Sequence, residues 1–122
     1  MAIHIQQYPN LELSEELIDV LRSKNVPEKV RLKVLEAFLA LNDHGTDKNY
    51  LKPDIEKTYR GKILEMKFKG PSKTEWRILF KRISKNENPP KYGLMNLFKK
   101  DTEKLRKQDL DAAERIAKRE GW

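Results

Sequence analysis

Lys62-Ile63-Leu64-Glu65-Met66-Lys67-Phe68-Lys69, then Gly70-Pro71-Ser72-Lys73, then Trp76-Arg77-Ile78-Leu79-Phe80-Lys81-Arg82-Ile83: this stretch decides the fold. The two outer runs alternate, and the middle one carries turn residues, so the reading is two antiparallel strands joined by a tight turn. Leu64, Met66 and Phe68 share one face of the first strand, opposite Ile63, Glu65, Lys67 and Lys69. On the second strand Trp76, Ile78 and Phe80 oppose Arg77, Leu79 and Lys81. One face is greasy, with Trp76 as core, and the other gathers positive charge. A third apolar run, Leu94-Met95-Asn96-Leu97-Phe98, leads into a basic tail, Lys99-Lys100-Asp101-Thr102-Glu103-Lys104.

Working outward, Ala2–Tyr8 alternates and reads as a first strand stopped by Pro9-Asn10. Ser14 is a good N-cap, and Glu15 and Glu16 suit the positive end of a helix dipole. Leu17, Ile18 and Leu21 form that helix's apolar stripe. A second helix starts at Pro27, repeats Val30, Val34, Phe38 and Leu41, and stops at Gly45. Such a hairpin needs a sheet face to cover. Residues 46–57 and 84–93 read as loops. Gln108–Glu120 reads as a last helix, ended by Gly121. The expected class is therefore α+β: a small antiparallel sheet covered on one face by an N-terminal helix hairpin, with a basic tail and a C-terminal helix, in one domain over 1–122.

Charge is distributed unevenly. Residues 1–56 carry 7 Lys/Arg against 10 Asp/Glu, residues 57–107 carry 16 against 5, and residues 108–122 carry 3 against 4. A basic block inside a predicted sheet points to a polyanion, and nucleic acid is the commonest one. The chain has no cysteine, which excludes disulfides and thiolate metal sites. Its two histidines, His4 and His44, lie outside the basic block, so a histidine-pair ribonuclease site is not expected. No apolar run approaches the ~20 residues a membrane span needs, and the N-terminus does not begin a signal peptide. Cytoplasmic location without membrane contact is the expectation.

Three segments resemble the RelE/ParE toxin superfamily, and its HigB-like, phage-associated branch in particular. Ile63-Leu64-Glu65-Met66-Lys67 is similar to that branch's Leu-Trp-Glu-Leu-Arg strand, and Trp76-Arg77-Ile78-Leu79-Phe80 to its Tyr-Arg-Val-Leu-Phe strand. Phe98, Lys100, Thr102, Lys104, Asp109, Leu110 and Ala113 fall on its following Phe-x-Lys-Lys-Thr-x-Lys segment and helix. Lys67 stands where the branch has arginine, Asp101 replaces a lysine, and Leu105-Arg106 replaces Thr-Pro.

The resemblance implies a RelE-like fold and a toxin of a type II toxin–antitoxin pair. The implied activity is metal-independent cleavage of messenger RNA on the ribosome, with no cofactor. The implied partner besides mRNA is a cognate antitoxin, a small helix-turn-helix protein. Cleavage by the RNA's own 2′-hydroxyl builds charge on phosphorus, so it needs fixed cations and a proton acceptor and donor. Arg77 is the expected phosphate clamp, because a guanidinium stays charged and grips two oxygens. Lys67 is a second cation or a base, Lys100 a cation or proton donor, and Glu65 the acid that orients Arg77 or Lys67 or acts as base. Lys62, Lys69, Arg82, Tyr92, Lys99 and Lys104 are the expected RNA contacts. A ParE-like gyrase inhibitor and a non-catalytic nucleic-acid-binding protein of phage origin stay open on the same residues.

Overall fold

Ser14 opens the helical layer, as its sequence position predicts. Its Oγ accepts the Leu17 N–H at 3.0 Å, and its hydroxyl donates to the Met95 carbonyl, tying the helix start to the sheet. The computed structural model describes residues 2–84, 87–100 and 107–122. In chain order the elements are β1 (Ile3–His4), β2 (Leu11–Leu13), α1 (Glu15–Arg22), α2 (Glu28–His44) and β3 (Asp54–Lys57). They continue as β4 (Leu64–Lys69), β5 (Glu75–Arg82), β6 (Tyr92–Lys100) and α3 (Lys107–Glu120). The strands form a sheet in the order β1-β2-β6-β5-β4-β3.

The α+β class and the helix hairpin are as expected. Leu17, Ile18 and Leu21 of α1 and Val30, Val34, Phe38 and Leu41 of α2 are buried with Met66, Phe68, Trp76, Ile78, Phe80 and Leu94 in one core. The apolar alternation of β4 and β5 thus meets the two helical stripes. At its end α2 reaches Gly45, whose φ of +62° suits glycine.

Four expectations are corrected. The sheet is mixed, because β2 pairs with β6 in parallel, Leu11 opposite Tyr92 and Leu13 opposite Leu94. The N-terminal strand is only two residues long. Turn hydrogen bonds from Tyr8 N–H to the Ile5 carbonyl and from Leu11 N–H to the Tyr8 carbonyl fold the chain back before β2. The 46–57 segment ends in an edge strand, β3, antiparallel to β4. Ile55 packs against the core, and Pro53 just before it suits an edge. Finally, β6 runs on through Lys99 and Lys100, so these are strand residues rather than a tail. Lys104 lies outside the described residues.

The second sheet face is divided. Ile63, Leu79 and Met95 are buried beneath Leu110, Ala113, Ile116 and Ala117 of α3. Asn96 Nδ2 donates to the Asp109 carbonyl at 3.3 Å, which ties β6 to the first turns of that helix. Trp122, past the Gly121 stop, packs on Gly93, where a Cβ would lie 2.5–2.9 Å from the indole. The other end of the face, around Lys67 and Arg77, lies outside this α3 cluster.

Phe38 is 1% exposed and central to the first core. Phe38→Ala removes a fully buried ring and leaves a cavity, so it should cost ~3–5 kcal/mol. Urea unfolding followed by circular dichroism checks this; a loss under ~1 kcal/mol would contradict the packing described.

Candidate functional site

Lys67 and Arg77 are direct cross-strand partners in the β4–β5 ladder, so both side chains leave the same face of the sheet. Two like charges in that position repel unless acids intervene. Three do. Lys67 Nζ lies 2.6 Å from Glu56 Oε1 on edge strand β3. Arg77 Nε lies 3.3 Å from Glu65 Oε2, and Arg77 Nη2 lies 3.0 Å from Glu75 Oε2. Nη1 also donates to the Trp76 carbonyl at 3.3 Å.

Arg77 is not the solvent-face residue expected from alternation: it is 3% exposed, and Glu65 is 4% exposed. The physical reason is their position in the middle of the sheet. Glu56, Glu65, Leu79 and Asn96 form one cross-strand row, and Asp54, Lys67, Arg77 and Phe98 the next, so Arg77 is flanked on every side. Glu65 meets Arg77 by charge, without an aligned hydrogen bond. Of the two roles weighed for Glu65, orienting the arginine is the one this burial supports.

Arg77 is part of the lining of a cleft of about 660 Å³ between α2 and the β4 edge. Lys33, Lys52, Lys67 and Lys69 line it with Arg77, against Glu36, Asp54 and Glu75. Of the expected RNA contacts, Lys69 is therefore at the cleft. Lys100 opposes Glu75 in the ladder, and its charge, with those of Lys67 and Arg77, is felt at Glu56. These cations sit together.

Four of the other expected contacts, Lys62, Arg82, Tyr92 and Lys99, do not join them. Lys99 pairs with Trp76, which puts it on the opposite face from Lys100. Arg82 donates from Nε to the Ser84 carbonyl at 3.1 Å, at the far end of β5. Lys62 lines a separate cleft with Lys81, Lys118 and Trp122 beside α3. Tyr92 is 5% exposed, the first residue of β6 rather than a loop residue, with its ring 6.0 Å from Phe80 in the core. Such a ring cannot stack on a base without unfolding the strand.

Alternation did not reveal Glu56, Glu75, Lys33 and Lys52. Glu75 precedes the strand's apolar run and carries no pattern of its own. Lys33 comes from a helix, and Glu56 and Lys52 lie in a segment read as loop. The detectable signal was the pairing rule itself, since a Lys–Arg pair on neighbouring strands demands acids nearby.

Two predictions follow from these pairs. Removing one partner of a buried pair strands the other charge, so Arg77→Ala should cost ~3–5 kcal/mol in urea unfolding. The double variant Arg77→Met with Glu65→Leu replaces the pair by apolar groups and should recover most of that loss. Full stability in Arg77→Ala would contradict a buried pair.

The second concerns Glu56. The Lys67 ammonium, hydrogen-bonded to it, holds its carboxyl below the ordinary 4.5. A carboxyl lowered on folding adds stability above its unfolded value, and that contribution is lost as pH falls through the lowered one. Lys67→Ala should raise the Glu56 value toward 4.5 in a carboxyl NMR titration. An unchanged titration would break the assignment of this pair.

Among the described residues no three His, Asp or Glu side chains gather in a way that could hold a metal ion, and no helix is long and apolar enough to cross a membrane. No curated protein and no solved structure matches the chain. A family model described as phage-derived protein, Gp49-like, does match, over residues 22–118. That span takes in α2, strands β3 to β6 and nearly all of α3, and so every residue lining the Arg77 cleft. The chain therefore belongs to the Gp49-like family of phage-derived proteins, within the RelE/HigB-like toxins.

Proposed function

We propose that this chain is the toxin of a toxin–antitoxin pair and an endoribonuclease that cuts messenger RNA, on the ribosome, without a metal. The observation that carries the reading is the Lys67–Arg77 pair in the lining of a cationic cleft. Family membership supports the toxin part, since Gp49-like proteins are often toxins of such pairs.

In the proposed reaction the 2′-hydroxyl of one nucleotide attacks its own 3′-phosphate. The P–O bond to the next nucleotide breaks, leaving a 2′,3′-cyclic phosphate and a 5′-hydroxyl. Negative charge grows on the non-bridging oxygens, where Arg77 and Lys67 are the fixed cations. Glu65 is a positioning residue that holds the guanidinium. Glu75 lines the cleft and is about half exposed, so it is the carboxylate placed to take the 2′-proton. Lys100, its ladder partner, is placed to return a proton to the leaving 5′-oxygen. Lys67, bonded to Glu56, acts as charge rather than as base.

A cognate antitoxin, a small helix-turn-helix protein, is part of the proposal. The outer face of α2 exposes Leu32, Leu35 and Leu39 at helical spacing, an apolar stripe of the kind a partner covers. Cytoplasmic action follows from the substrate.

The test is single-turnover cleavage of ribosome-bound mRNA, mapped by primer extension, with circular dichroism as control. Lys67→Ala and the Arg77→Met, Glu65→Leu double variant should each fold and lose ~10²–10³ in rate. Arg77→Lys should rescue poorly, because an ammonium lacks the two-pronged grip. Glu75→Gln should flatten the acid limb of the pH profile. A folded double variant that cuts at the parental rate defeats the proposal, and blocked DNA supercoiling with intact mRNA transfers the protein to gyrase inhibition.

A further inference from the structure

One wall of the cleft is built by neither the sheet nor its charges. After α2 ends at His44, Gly45 adopts φ +62° and ψ −143°, a region essentially confined to glycine. The chain then folds back on itself. Tyr50 and Leu51 N–H groups both donate to the Asp47 carbonyl, at 3.1 and 2.9 Å, and Asn49 N–H donates to Asp47 Oδ1 at 2.9 Å. Leu51 is buried and anchors the turn in the core.

This turn lays the Tyr50 ring on the His44 imidazole, centroids 3.5 Å apart and planes within 12°. Tyr50 nevertheless remains 51% exposed. His44 covers one face of the ring, and about half of the residue stays open to solvent. Tyr50 also lines the same cleft as Lys67 and Arg77. A held aromatic face beside a group of cations is the pairing that single-stranded nucleic acid requires: charge for the backbone, a flat ring for the base.

We infer that Tyr50, backed by His44, is the nucleobase platform of the cleft. An unpaired RNA base stacks on its open face while the adjoining phosphate meets Lys67 and Arg77. The inference rests on the proposed RNA reading of the cleft and adds a selection to it. The cleft takes single strands with exposed bases, in preference to duplexes or bare polyanions, and tolerates any base because every base has a π-face.

The test is fluorescence anisotropy with a short 2′-O-methyl oligoribonucleotide, which cannot be cut, and a matched abasic oligonucleotide. Tyr50→Ala should weaken the base-bearing strand roughly 5- to 150-fold and leave the abasic strand unchanged, from the usual worth of one stacked base. Tyr50→Phe should bind as the parent does, and His44→Ala should fall between. A 2-aminopurine in the strand should be quenched by the parent and not by Tyr50→Ala. Equal losses on both strands, or none, would overturn the platform; if Lys67→Ala still weakens both strands, the cleft keeps its RNA. A parent that binds neither strand overturns the platform, while cleavage of ribosome-bound mRNA decides the RNA reading separately.

Discussion

An arginine in the middle of a sheet cannot stay buried alone. The Arg77 guanidinium is charged at any pH the protein meets, and taking it out of water costs several kcal/mol unless acids meet it. Glu65 meets it within the sheet and Glu75 at the cleft edge. Around that pair the rest arranges itself. β3 brings Glu56 to Lys67, Phe98 closes one side, and α3 stops short and covers Leu79 and Met95 instead. The cleft is the place where this buried charge meets a cavity wall.

The arrangement suits the chemistry proposed for it. A cation held by a buried acid does not reorganise when charge develops in front of it, and pre-set charge is what stabilises a transition state best. It also separates roles that alternation had merged. Glu65 and Glu75 both touch Arg77, yet one is sealed in the sheet and the other faces the cleft. In the proposed reaction the first sets geometry and the second exchanges protons.

Much of the fold was legible because hydrophobic period reports burial directly. The Ser14 cap, the Val30–Leu41 stripe and the β4–β5 turn all stand where the residues put them. What alternation cannot show is what covers a face. It placed Arg77 opposite Ile78, correctly, and could not say that neighbouring rows would bury it. Lys99 and Lys100 read together as a basic tail, although adjacent strand residues point apart once β6 continues through them. The parallel β2–β6 pairing depends on partners far apart in sequence, and no local pattern encodes it. The Tyr50–His44 stack was hidden for a similar reason: a polar turn brings back a histidine that sequence position had set aside.

The place of β6 has a further consequence, in the order of synthesis. It is the strand that joins β2 on one side to β5 on the other. Until residues 92–100 have left the ribosome, β1 and β2 have only each other to pair with, and β5 has only β4. Domains complete themselves only when such distant pairings can form, and those pairings are slow. A nascent chain therefore carries the arginine, its acids and both helices without a finished sheet to hold them. Lys100, the proton donor of the proposed reaction, is thus the last member of the proposed site to be made.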